Sequence, residues 1–464
     1  MDNQKKSKDG KITLHKITKI LIAEGLILSV LLISLAMKRL SEYKEDPLDH
    51  TKPVVNTGDN KNNTISPTSD PILELKKEQE AKQQEVLKEA KLLAAGYDYD
   101  KAINLLKSEE GYENIESFMN AITTFEEDKK ACVPFGAYKS STEVSHLFFH
   151  SLIYDTSKAF DGEYDSNGYN YYMVTVKEFK EMLNQLYEND YVLVSIHDLV
   201  TKVTNEDGTT AYQDGDVLLP PNKKPFVLSQ DDVNYYDYME GDGFASRMVI
   251  DENGKPSTLM INDDGTTSIG DYDIVPIVER FIEEHPDFSY RGARGVIALT
   301  GYEGALGYRT DPASKDSKTY DQDRETVKQV ANVLKQYGWE FACHSNGHRD
   351  MAACTEEFLK KDTNNWLKYV GSLVGETDLY IFPYGIDIQS GAGVYKNAKF
   401  QYLDSVGFHY YFGVFKEPWI QVKDNYVRMS RRAIDGQAML QYPDRLTDIF
   451  NLSTILDDTR PALK

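Results

Sequence analysis

Six short apolar runs mark the chain from residue 144 onward: residues 144–150, 191–196, 226–229, 295–300, 339–343 and 380–382. Their length and their content of Val, Ile and Phe fit buried strands. Between several of them the spacing turns helical. Residues 176–189 put Phe179, Met182, Leu183 and Leu186 on one face, and residues 274–284 and 325–337 follow the same rhythm. Strands alternating with helices predict a mostly parallel α/β domain covering residues 133–464. Within it, residues 249–250 and 258–261 flank the turn formers Glu252 to Pro256 and predict an inserted hairpin.

The N-terminal part follows other rules. Six lysines between Lys5 and Lys19 precede the apolar residues 20–37, which Glu24 interrupts. That run nearly spans a bilayer, and lysines before it favour a cytoplasmic N-terminus. The expectation for residues 1–40 is a transmembrane anchor of a single-pass cell-membrane protein with an extracellular catalytic domain. A signal peptide cleaved at Ala36 would give a secreted protein instead. Residues 41–71 are polar, contain Pro47, Pro53 and Pro67, and predict a disordered linker. Residues 72–93 are rich in Glu, Lys, Gln, Leu and Ala, as in a solvated helix. Residues 94–106 resemble the turn and second helix of a tetratricopeptide-type hairpin, and a further helix is expected over 114–125. One hairpin is too little for a repeat array, so residues 72–130 read as a helical stalk able to meet a protein partner.

Composition narrows the partners. The net charge is −22, from 52 basic against 74 acidic residues, which opposes binding to nucleic-acid phosphates. The 31 tyrosines would suit a carbohydrate surface, although core packing accounts for most of them equally well. Three cysteines, Cys132, Cys343 and Cys354, supply no disulfide framework.

The candidate chemistry lies at the ends of two apolar runs. Residues 339–343 lead into His344-Ser345-Asn346-Gly347-His348, and two imidazoles four residues apart can hold one metal ion if a third ligand comes from elsewhere. Residues 225–230 end in Asp231-Asp232. Paired carboxylates with two histidines suggest a metal-activated hydrolase. Residues 259–265, another apolar run closing in Asp263-Asp264-Gly265, offer a competing carboxylate pair, for which a hairpin is the plainer reading.

From about His146 to Asp435 the chain resembles the polysaccharide deacetylases of the NodB-homology type. The resemblance rests on Ser229-Gln230-Asp231-Asp232, on His344-Ser345-x-x-His348 and on Pro383-Tyr384. It implies an irregular (β/α) barrel with the site at the C-terminal ends of the strands. It also implies Asp231 as catalytic base, Asp232, His344 and His348 as ligands of a divalent metal (zinc, with cobalt or nickel as alternatives), and the Tyr384 amide as oxyanion donor. The implied reaction is removal of N-acetyl groups from an extracellular amino-sugar polymer, peptidoglycan or an exopolysaccharide. Pro383 and Tyr302, the latter in the Gly-rich aromatic run 301–310, are candidate substrate-binding residues.

Two departures stand out. Ile381 occupies the place of the family's arginine in Arg-x-Pro-Tyr, and Arg432 is the expected substitute. No Leu-x-His motif follows to supply the family's usual general acid; His150, at the end of the first strand, is the candidate catalytic histidine of the cleft, with a capped, hydrogen-bonded structural histidine as the alternative. These gaps leave room for an impaired deacetylase-like domain that only binds glycan or a protein partner, and for the same metal site acting on another amide or ester.

Overall fold

The computed structural model describes residues 71–137, 140–163 and 165–463. Seven parallel strands form its centre: β1 (Ser145–Phe149), β2 (Lys224–Gln230), β3 (Val296–Leu299), β4 (Glu340–Cys343), β5 (Leu379–Ile381), β6 (Tyr410–Val414) and β7 (Val427–Ala433). Each pairs with the next in chain order, and β7 returns to β1 with Arg431 opposite His146 and Arg432 opposite Leu147. The ring is therefore closed. This matches the expected (β/α) barrel.

Alternation along these strands builds two layers. Val227, Val296, Ala298, Ala342, Ile381, Phe412, Val427 and Met429 pack together inside the barrel. Phe226, Leu228, Ile297, Leu299 and Phe341 face outward against helices. Those helices include α4 (Val176–Glu188), α5 (Ile274–Glu284), α6 (Tyr320–Tyr337) and α7 (Glu356–Trp366). Thr175 and Glu178 form a reciprocal capping box that starts α4, and Gly338, at φ 103°, ends α6 in a left-handed turn.

The run 191–196 behaves differently from the other five. Only Tyr191–Leu193 is a strand, and it lies outside the ring against the start of β2. The inserted hairpin is present within a three-stranded antiparallel sheet, Arg247–Ile250, Pro256–Ile261 and Thr267–Gly270. Asp263 points to solvent there and pairs with Lys158.

Three helices, α1 (Pro71–Ala95), α2 (Tyr99–Lys107) and α3 (Glu116–Ala131), precede the barrel. They share a small core of Ala90, Ala102, Leu106, Phe118 and Ile122. They dock on the barrel end where β3 begins: the Tyr97 ring stacks on Tyr290, its hydroxyl donates to Asp287 O at 2.9 Å, and Arg291 N donates to Gly96 O at 2.7 Å.

The membrane expectation requires correction. Among the described residues no helix is long and apolar enough to cross a membrane, so a single-pass membrane protein is not supported. Helix α1 has the length, but its Glu, Lys and Gln residues would be unsolvated in lipid. The expected span, residues 20–37, and the linker as far as Asp70 lie outside the described residues.

Candidate active site

Strand parity sets the site. On β1 and β2 the inward positions continue past the strand ends to His150 and Asp231, on β4 to His344, and on β7 they run Val427, Met429, Arg431. All four side chains thus converge at the C-terminal rim of the barrel.

One nitrogen each of His344 and His348 and one oxygen of Asp232 lie within 4.8 Å of one another. His348 Nε2 is 3.7 Å from Asp232 Oδ2 and His344 Nε2 is 3.9 Å from Asp231 Oδ2, too long for hydrogen bonds. Two of the three donors are oriented toward the gap by their hydrogen bonds. His344 Nδ1 sits 2.9 Å from Ile381 O, and because a carbonyl only accepts, that nitrogen carries the proton and Nε2 is left to coordinate. Tyr236 donates its hydroxyl to Asp232 Oδ1 at 2.8 Å, with Thr300 Oγ1 3.0 Å behind it, which turns Oδ2 toward the histidines. Two imidazoles and one carboxylate suit a divalent metal of zinc type with open positions.

The loop carrying the histidines is held from α7. Asp362, buried, accepts Asn346 N at 2.7 Å on one oxygen and Gly347 N at 2.9 Å on the other. The backbone here is strained: φ is 59° at Asp232, 57° at Ser345, 46° at His348 and 59° at Tyr384. Non-glycine residues in this region cost of order 1–3 kcal/mol each and persist where the surroundings enforce them. Burial lowers the pKa of His348 below the usual histidine value, which favours the neutral, ligating form.

Asp231 is not among these three. Its Oδ1 accepts Arg431 Nη1 at 2.7 Å, and both side chains are almost fully buried. Burial alone would push its carboxyl up, but the Arg431 guanidinium outweighs it and holds the group well below the usual carboxylate range. It is therefore an ionised carboxylate at the edge of the metal set. Arg431 also lies over the Phe148 ring, 4.1 Å from its centroid.

The expectation for Arg432 is thereby corrected. Its side chain leaves the barrel and pairs with Asp448, itself 61% exposed. Arg431, one residue earlier, is the arginine beside Asp231. The sequence held the signal: Val427, Met429 and Arg431 share a face, whereas Arg432 shares the opposite one with Arg428 and Ser430. Arg428, on that outer face, grips Asp387 and the carbonyls of Gln389 and Gly391, fixing the loop after β5.

Of the remaining candidates, Tyr384 stands over His348 with ring centroids 4.6 Å apart and donates its hydroxyl to His348 O at 3.2 Å. Pro383 is buried beneath it. Tyr302, 55% exposed, lies on the rim with its ring 5.7 Å from that of Tyr236. His150 donates Nδ1–H to Tyr172 O at 3.1 Å and is an electrostatic neighbour of Asp231, His348 and the buried Asp435. Asp232, His348, Tyr302 and Tyr384 line one cleft of about 670 Å³.

No family model matches the chain, and no curated protein matches it. Solved structures do. One is a de-N-acetylase from Aggregatibacter actinomycetemcomitans, at 15% identity and a TM-score of 0.36, with 65% of this chain and 98% of that one covered. Another is the Streptococcus pyogenes deacetylase PplD in complex with acetate, at 11% identity and a TM-score of 0.35, covering 64% and 97%. Both are deacetylases. With so partial a superposition, the reading of the site rests on its own geometry.

Proposed function

We propose that this protein is a metal-dependent hydrolase that removes N-acetyl groups from an amino-sugar polymer such as peptidoglycan or an exopolysaccharide. The observation that carries the proposal is the juxtaposition of the Asp232–His344–His348 donor set with a second carboxylate, Asp231, that Arg431 keeps ionised. Asp232, His344 and His348 would hold the metal. When bound, a divalent ion supplies Lewis acidity, lowering the pKa of water and polarising the acetamide carbonyl.

The protein's own groups do the rest. Asp231 takes a proton from the attacking water, since it is ionised and Arg431 fixes the direction of its second oxygen. The Tyr384 amide, turned by its left-handed backbone, donates to the developing oxyanion. His150 gives a proton to the leaving amine; its Nδ1–H is fixed by Tyr172 O, so Nε2 is the nitrogen that exchanges. Arg431 also bears on the binding-only alternative, because it provides at β7 the base-side arginine that Ile381 cannot. That supports retained catalysis.

The test is acetate release by the full chain, loaded with zinc or cobalt, from chitooligomers, peptidoglycan fragments and a simple ester. Turnover of the amide substrates that disappears in Asp231→Ala and in His348→Ala is expected. Glycan binding without turnover, or activity indifferent to both substitutions, would overturn the proposal.

A further inference from the structure

The two walls of the cleft differ in chemistry. One, rising from the loops after β2 and β3, presents Tyr236, Tyr238 and Tyr302, with the Tyr236 and Tyr238 rings stacked at 5.7 Å and Tyr238 51% exposed. Aromatic faces of this kind suit the C–H faces of sugar rings. The other wall, from the histidine loop and α7, presents Arg349 and Lys361, both exposed.

Resting on the deacetylase reading, we propose that Arg349 and Lys361 form a subsite for an oxyanion, carboxylate or phosphate, carried by the polymer next to the reacting acetamido sugar. Among the described residues neither cation has a carboxylate oxygen within 4 Å, whereas the adjacent Lys360 is paired with Glu356 at 2.6 Å and lies over the Tyr402 ring. Successive residues of one helix thus have different fates: Lys360 is neutralised on the flank, and Lys361 faces the cleft unneutralised. Asp362, the carboxylate within electrostatic reach of Arg349, already spends both oxygens on Asn346 N and Gly347 N. The cleft is also lined by Asp232 and Asp362, but Asp232 is bonded by Tyr236 and Asp362 by two backbone amides, so Arg349 and Lys361 are the cationic groups on this wall left to meet an anion by short-range contact. A guanidinium beside an ammonium fits a planar or tetrahedral oxyanion by charge-assisted hydrogen bonds.

Binding and turnover can be separated. The full-length unmodified protein, held metal-free by a chelator so that it binds without turning over, is titrated calorimetrically with three oligosaccharide series of equal length. These are neutral N-acetylglucosamine oligomers, glycan strands alternating N-acetylglucosamine with a lactyl-carboxylate sugar, and amino-sugar oligomers bearing phosphate. We expect at least one anionic series to bind about tenfold more tightly than the neutral one, the worth of one charge-assisted hydrogen bond. The series preferred names the oxyanion. That advantage should shrink with rising salt and fall to about twofold or less when Arg349→Ala and Lys361→Ala are added. Partial retention in Arg349→Lys would distinguish loss of charge from loss of fold. Equal affinity for all three series, or a preference that survives the double substitution, overturns the subsite. Anionic preference with no acetate release from any series by the unmodified, metal-loaded chain would sink the deacetylase reading and leave the subsite standing.

Discussion

Arg431 is the residue whose removal should be most informative. Its guanidinium meets Asp231 at 2.7 Å, with side-chain exposures of only 1% and 3%. Two unit charges about 4 Å apart attract by about 4 kcal/mol at an effective dielectric constant near 20. Removing one partner of such a buried pair leaves the other uncompensated and typically costs about 3–5 kcal/mol. Arg431→Met, which retains much of the side-chain volume, should therefore lower the unfolding free energy of the metal-free protein by about 3–5 kcal/mol. It should lower kcat by about 10²–10⁴, the usual worth of a positioned general base. Urea unfolding followed by tryptophan fluorescence reads the first quantity, and acetate release from chitooligomers the second. A second substitution isolates the cause. Asp231→Asn removes the stranded charge, so the double variant should regain about 1–3 kcal/mol relative to Arg431→Met alone. Arg432→Met, whose partner Asp448 is largely exposed, should cost only about 0–1 kcal/mol and leave the stranded charge out of account. A double variant no more stable than Arg431→Met, or an Arg432→Met protein equally impaired, would refute the assignment.

Tyr236→Phe deletes the hydroxyl that donates to Asp232 Oδ1, and zinc titration should show affinity about 10–100-fold weaker with the fold intact. Asp362→Ala frees the amides of Asn346 and Gly347; faster amide hydrogen exchange in residues 344–348 and weaker zinc binding are expected, and unchanged exchange would count against the clamp. At the opposite end of the barrel His197 lies between Glu340, 2.5 Å from Nδ1, and Asp378, 3.1 Å from Nε2. Burial would lower its pKa, but these two hydrogen bonds outweigh it and raise the value to about 10. A raised folded pKa stabilises fully below the unfolded value near 6.5 and less as pH climbs through about 10. His197→Gln should therefore reduce the urea midpoint at pH 6, with the difference from the unmodified protein closing at strongly alkaline pH.

What could be read from the chain follows the range of the interactions involved. His344, His348 and the Asp231-Asp232 pair are local motifs, each at the end of an apolar run, and the structure brings them together. The run at residue 191 carries the same apolar signal as a barrel strand because its outer partners, Phe226 among them, are equally apolar; periodicity records burial and not the identity of the neighbour. Arg431 was the harder case. It meets Asp231 across 200 residues of sequence, so no local motif contains both, and only the two-residue parity with Val427 and Met429 separates it from Arg432. The docking of α1 to α3 through Tyr97 and Gly96 is likewise invisible to helix periodicity, which describes a face without saying what covers it.

Because β7 is both the strand that closes the ring and the one that bears Arg431, the order of synthesis imposes a delay. Asp231, Asp232, His344 and His348 all leave the ribosome long before Val427–Ala433 does. Until then the barrel has an open edge and Asp231 has no cation to offset its burial. The nascent chain can gather ligands for a metal, but Arg431 reaches Asp231 only when β7 closes the ring, so closure and the ordering of that carboxylate come in a single step. Any truncation before β7 should yield an open sheet with an unsettled carboxylate, rather than a smaller enzyme.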